Sequence, residues 1–178
     1  VDTAMSKGAG SDFTGLVKNF VDSECKWNLQ AYRMKLTPLD LIELLFTWHA
    51  EDRYEKIGIE ETIYLDAIKP FMDEEMRRRN RFLPIVPLKH NRVAKELRIR
   101  GLLPRYESKS VYHIKGECTE LEEELLRFPK GIHDDVADAA AYQIQIAGAP
   151  TGRQGRSAAD IEFERAMIRK KQRTQSAL

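Results

Sequence analysis

Apolar positions along the chain change period several times, and each change marks an element. Val1 to Ala4 reads as the end of a strand running into a loop, with a Gly- and Ser-rich turn from Met5 to Ser11. Residues 12–21 alternate apolar with polar, and residues 26–36 do so more clearly, with Trp27, Leu29, Ala31 and Met34 interleaved among polar neighbours. A period near two belongs to half-buried strands, so the chain is predicted to open with three antiparallel strands. Thr37-Pro38 then supplies a cap and a first helical residue, and Leu41, Leu44, Leu45 and Trp48 follow at helical spacing to about Asp52. Residues 54–61 read as a short strand ending in Glu60 and Glu61. A helix is predicted from Thr62 to Arg79, apolar at Ile63, Leu65, Ile68, Phe71, Met72 and Met76, with a kink at Pro70. The prolines of residues 82–88 make that strand irregular or place it at an edge. Helices over His90–Arg100 and Thr119–Arg127 flank a strand at Val111–Ile114, and Thr119 with Glu122 has the capping-box spacing.

The last patterned stretch, Gly131 to Ile146, is the least ordinary. It crowds His133, Asp134, Asp135 and Asp138 into its first turns and is then almost wholly apolar. At about 100° per residue the three aspartates fall within roughly 100° of arc. Val136, Ala140, Ile144 and Ala147 form one apolar face, and Tyr142 and Ile146 form another. A helix apolar nearly all round is packed on both sides, so its carboxylates belong to one end and not to a solvated stripe.

The succession of elements is that of an α/β domain with an antiparallel start. Gly148, Pro150, Gly152 and Gly155 read as a linker, and residues 157–172 as a separate amphipathic helix, giving a domain over 1–147 and a tail over 148–178. In 178 residues, 42% hydrophobic and 32% charged, there is material for one real core. No apolar run approaches the roughly 18 residues of a membrane span, so no membrane partner is expected. The net charge of +1 conceals a basic tail, with Arg153, Arg156, Arg165, Arg169, Lys170, Lys171 and Arg173 against Asp160, Glu162 and Glu164. Such a tail suits a polyanion or simple solvation equally. Cys25 and Cys118 read as two idle thiols, and the absence of CxxC and HxxxH spacings argues against a zinc site.

Three acidic places remain: Asp2 after the first strand, Glu60 at the end of the fourth, and the His133–Asp138 helix start. Taken singly, each has a bland explanation as a turn residue, a dipole-favoured charge or a cap. Three aspartates and a histidine exceed what capping needs. In an α/β sheet, strand ends and helix starts meet at one edge, where ligands bind. Carboxylates gathered there call for cations, and hard divalent ions with oxygen ligands, Mg²⁺ or Mn²⁺, are suited to them. A pair of such ions cleaves phosphodiesters. His49, His90 and His113 have no partner in the pattern and read as structural or exposed.

The ordered set of motifs resembles the C-terminal nuclease domain of the large terminase subunit of tailed bacteriophages. Val1-Asp2-Thr3-Ala4 with Ser11-Asp12 is similar to that family's first catalytic segment, and Ile57-Gly58-Ile59-Glu60 to its second. Lys89-His90-Asn91-Arg92, Leu103-Pro104 and Val111–Ile114 resemble its K-x-x-R helix, following proline and hairpin strand. Phe128-Pro129 with Gly131-x-His133-Asp134-Asp135-x-x-Asp138-Ala139 is similar to its closing motif. The resemblance covers about residues 1–147. It implies an RNase H-like mixed sheet flanked by helices, and a Mg²⁺- or Mn²⁺-dependent endonuclease holding two ions. That enzyme would cut concatemeric double-stranded DNA during viral genome packaging in the host cytoplasm. By the same resemblance Asp2, Glu60 and Asp135 are catalytic, and Asp2, Glu60, Asp134, Asp135 and Asp138 are metal ligands. Which aspartate of the closing motif is the principal ligand stays open. Asp12 and His133 would give support, and Lys89 and Arg92 would contact phosphate. The implied partners are an N-terminal ATPase domain, the portal and the small terminase subunit. Two departures stand out: there is no G-x-x-x-x-G-K-[ST] loop, and only Val1 precedes Asp2. A junction resolvase or transposase-type nuclease, or a non-catalytic DNA- or assembly-binding module, would share the fold.

Overall fold

The two alternating segments form the longest strands among the described residues. The structure, a computed structural model, describes residues 2–3, 13–89 and 93–148, and among these the side chains of Asp2, Thr3 and Ile63 are outside the description. Strands β2 (Thr14–Val21) and β3 (Trp27–Met34) pair antiparallel along their whole length, from Thr14 opposite Met34 to Val21 opposite Trp27. The turn between them is held by Asp22, whose carboxylate accepts from the backbone N–H groups of Glu24 and Lys26. Strand β1 (Asp2–Thr3) pairs antiparallel with β2, Asp2 lying opposite Gly15. The expected antiparallel start is therefore present.

Helix α1 (Pro38–Asp52) begins as its sequence predicts. Thr37 accepts from the Asp40 N–H, and the Asp40 carboxylate accepts from the Thr37 N–H, closing a capping box. Strand β4 (Ile57–Glu60) leads through helix α2 (Ile63–Arg79), which runs through Pro70, to strand β5 (Ile85–Leu88). β4 and β5 pair in parallel, as a helical crossover requires. Two short helices follow, α3 (Lys95–Arg100) and α4 (Leu103–Glu107), and then strand β6 (Val111–His113). β6 adds in parallel to β3, giving a mixed sheet in the order β1-β2-β3-β6 beside the β4-β5 pair, with β1 also lying against β4. Helices α5 (Thr119–Arg127) and α6 (Asp135–Ile146) complete the unit. Among the described residues no helix is long and apolar enough to cross a membrane.

Two expectations change. The helix predicted over His90–Arg100 starts only at Lys95, and the Leu103–Glu107 helix, entered through Pro104, was not predicted. Thr119 is the first helical residue of α5 and not its cap; Cys118 holds the cap position and makes no side-chain cap bond. The cause is tertiary. The Ala31 N–H donates to the Glu117 carbonyl and the Cys118 thiol to the Leu29 carbonyl, so β3 decides where α5 begins. Both thiols are free, Cys25 exposed and Cys118 buried.

The sheet separates two apolar cores. On one side Leu16 packs with Leu41, Leu45 and Phe46 of α1, Ile57 and Ile59 of β4, and Leu65, Ile68 and Met72 of α2. On the other, Trp27, Leu29 and Ala31 of β3 pack with Ile99, Leu102, Leu121, Val136, Ala137 and Ala140. The protein is thus α/β, a mixed sheet with helices on both faces. The chain divides into Val1–Gly148 and Ala149–Leu178. The basic tail, the helix predicted over 157–172, Asp12, His90 and Arg92 all lie outside the described residues.

One contact fixes α6 on this sheet. A Cβ added at Gly15 would lie 2.3 Å from the Asp135 carbonyl oxygen and 2.9 Å from the Val136 nitrogen. Both are backbone atoms near the start of a buried helix and cannot swing aside. Gly15→Ala is expected to destabilise the domain by about 2–3 kcal/mol, as overpacking of a filled interior does. The midpoint of urea unfolding measures this directly, with little change expected in the slope.

Candidate functional site

The first turns of α6 are built so that their aspartates are not consumed by the helix itself. Asp134 occupies the cap position and makes no side-chain cap bond. The orphan amide of Ala137 donates instead to Glu124 Oε2 at 2.8 Å, a carboxylate supplied by α5. Glu124 is buried, and Arg33 stands 3.6 Å from its other oxygen. Burial raises its pKa, against the opposing backbone hydrogen bonds. Sequence reasoning missed this residue, although one signal was available. Glu124 lies three residues after buried Leu121, on the core face of an otherwise amphipathic helix.

The freed carboxylates face two cations from α3. Lys95 Nζ lies 2.7 Å from Asp134, 3.2 Å from Asp135 and 3.9 Å from Asp138. Arg98 grips both oxygens of Asp138, with Nε 2.9 Å from Oδ1. It also donates to the Val93 carbonyl and stacks over the Tyr142 ring, 4.8 Å from its centroid. Asp138 is only 2% exposed. Burial pushes its pKa up, while Arg98 and then Lys95 pull it down and Glu60 adds to the rise. Burial works against the charge on Arg98 too, but the hydrogen bonds and charge of Asp138 outweigh it and the guanidinium is held more firmly protonated.

Glu60 joins from the end of β4. It accepts from the Tyr142 hydroxyl at 2.7 Å, one helical turn beyond Asp138 on α6. Burial, followed by this bond, raises the Tyr142 pKa, so the phenol stays a donor. The structure therefore brings Glu60, Asp134, Asp135 and Asp138 to one edge, through Tyr142, Lys95 and Arg98. The backbone of Asp2 is at the same edge, because its β2 partner Gly15 touches Asp135 and β1 lies against both β4 and α6. The His133 ring stands edge-on to Phe13 with centroids 5.5 Å apart, next to the β2 residues that pair with β1. Lys89 is exposed just past β5, and its backbone exchanges two hydrogen bonds with the Gln145 amide.

Among the described residues no group of three or more Asp, Glu, His or Cys side chains is gathered closely enough to hold a metal ion. Lys95 and Arg98 bridge the acids of α6 instead. The available donors are nevertheless all carboxylate oxygens, the type that suits Mg²⁺ or Mn²⁺ and not a softer ion. Asp134 and Asp135, with side chains 46% and 19% exposed, are open to an ion from solvent. Asp138 has both oxygens engaged by Arg98, so it fits the work of holding the edge together.

The cap makes a pH-dependent prediction. Glu124 has its folded pKa above its ordinary 4.5. The resulting stability is complete below the ordinary value and is lost as pH rises through the folded one. Glu124→Gln keeps an acceptor and removes the charge, so its stability relative to wild type should improve as pH rises from about 4 to about 7. Glu124→Ala should cost about 1–2 kcal/mol, the loss of a helix cap. Urea unfolding across this pH range measures both. No protein-family model matches the chain, and no curated protein sequence matches it.

Proposed function

We propose that the chain is a metal-dependent DNA endonuclease domain of RNase H-like fold, of the kind that cuts viral double-stranded DNA during genome packaging. The observation that carries this is the convergence of Glu60, Asp134, Asp135 and the backbone of Asp2 at one edge, with the caps of α6 supplied from elsewhere. A mixed sheet with an antiparallel start, parallel strands after it and helices on both faces is compatible with the fold. The motif order around Asp2, Glu60 and His133–Asp138 supports the packaging nuclease over a junction resolvase.

Asp2, Glu60, Asp134 and Asp135 would hold the ions, and two Mg²⁺ or Mn²⁺ ions supply an activated water and a charge for the departing oxygen. The remaining residues do the positioning. Tyr142 fixes one oxygen of Glu60, and Arg98 fixes Asp138, whose helix turn carries Asp134 and Asp135. Lys89 and Arg92 would meet the phosphate backbone, which positions duplex DNA without reading sequence. An ATPase domain, the portal and the small terminase subunit are the partners that go with this function, and the host cytoplasm is its place.

The wild-type chain is expected to nick or linearise supercoiled plasmid in Mn²⁺ or Mg²⁺. Glu60→Gln and Asp135→Asn should fall to background, whereas Asp138→Asn, which disturbs support, should lose about 10–100-fold. Agarose gels with initial rates measure this. Identical behaviour of wild type and Asp135→Asn in both ions would sink the proposal, and a strong preference for four-way junctions over plasmid would favour the resolvase.

A further inference from the structure

The two α3 cations are held in very different ways. Arg98 is 14% exposed, bidentate on buried Asp138, tied to the Val93 carbonyl and stacked on Tyr142. It is built in. Lys95 is 33% exposed and reaches three carboxylates at unequal distances of 2.7, 3.2 and 3.9 Å. An ammonium is a compact, strongly hydrated charge on a flexible stem, without the fork that locks Arg98 to its partner. Lys95 is also the first residue of α3, so its side chain can turn into solvent without moving the helix.

We propose that Lys95 is an exchangeable counter-ion: it holds Asp134, Asp135 and Asp138 together while the site lacks metal and gives up its place when divalent ions enter. The proposal rests on the nuclease reading and assigns the lysine a role within it. A divalent ion seeks the same Asp134 and Asp135 oxygens that Lys95 contacts and brings twice the charge. With the lysine seated, an entering ion meets a like charge as well as its ligands, so the lysine lowers metal affinity. Without the lysine and without metal, Asp134 and Asp135 lose their shared cation, and the start of α6 is strained by repulsion. Arg98 keeps Asp138 neutralised in both states.

Isothermal titration with MnCl₂ and thermal melting, both on the full chain, test this without relying on cleavage. Lys95→Met is expected to bind Mn²⁺ about tenfold more tightly than wild type. It should melt at lower temperature than wild type in metal-free buffer and recover the difference in saturating Mn²⁺. Lys95→Arg keeps the charge, and it should melt close to wild type and bind Mn²⁺ no more tightly. Equal or weaker Mn²⁺ binding by Lys95→Met, with wild type still taking up the ion, overturns the counter-ion role and leaves the nuclease reading intact. A variant that is merely less stable in both conditions, with no gain in affinity, marks a structural lysine and counts against the proposal. No Mn²⁺ uptake by wild type or variant removes both the role and the nuclease reading.

Discussion

Everything at the acidic edge depends on how closely α6 can approach β2. The start of that helix rests on the strand at Gly15, where no side chain intervenes and the helix backbone fills the space. That approach brings the Asp135 turn beside the strand partner of Asp2, and it buries α6 from Val136 to Gln143. The apolar body of the helix then serves the acids. Ala137, Ala140 and Ala141 are small enough to lie against the β3 side of the sheet, and the resulting close packing leaves the first turn little freedom. A site that must hold charged groups in fixed positions is best carried on an element so constrained.

Packing of this kind raises an electrostatic difficulty that the protein resolves with two separate carboxylate roles. Glu124 serves the backbone of α6, and Asp138 serves Arg98. A buried ion pair adds little net stability, since desolvation offsets most of the attraction, but breaking one side of it typically costs about 3–5 kcal/mol. The Arg98–Asp138 pair therefore acts mainly as a selector of arrangement. It ties α3 to α6 in one geometry and keeps Tyr142 beneath the guanidinium, where its hydroxyl reaches Glu60. The edge of β4 and the start of α6 are linked through hydrogen bonds as well as through the core.

Much of this was legible locally. The alternation of β2 and β3, the Thr37–Asp40 box and the all-round apolar character of α6 are properties of short windows, and the structure follows them. The acids at Glu60 and His133–Asp138 stood out because they were more numerous than caps require, and Glu60, Asp134, Asp135 and Asp138 do gather at one edge. What escaped was set by distant contacts. Lys95 and Arg98 are 40 residues from their aspartates, in a helix whose start was misplaced by five residues. Thr119 had a capping-box spacing, but the Ala31 N–H of β3 donating to the Glu117 carbonyl, and the Cys118 thiol donating to the Leu29 carbonyl, set the helix start one residue away. The parallel pairing of β6 with β3 joins residues more than 80 positions apart, and no period in the chain announces it.

The end of α6 has a bearing on solubility. Strand β5 pairs with β4 alone among the described strands, so its other side is a ready template for a strand from another molecule. Pro87 removes one donor from that strand. Just beyond it, the Gln145 amide both donates to and accepts from the Lys89 backbone, as a neighbouring strand would. A side chain thus stands in for the main chain of an intruder at the rung that Lys89 would offer. The helix that positions the acids thus also covers part of the sheet edge most open to an added strand.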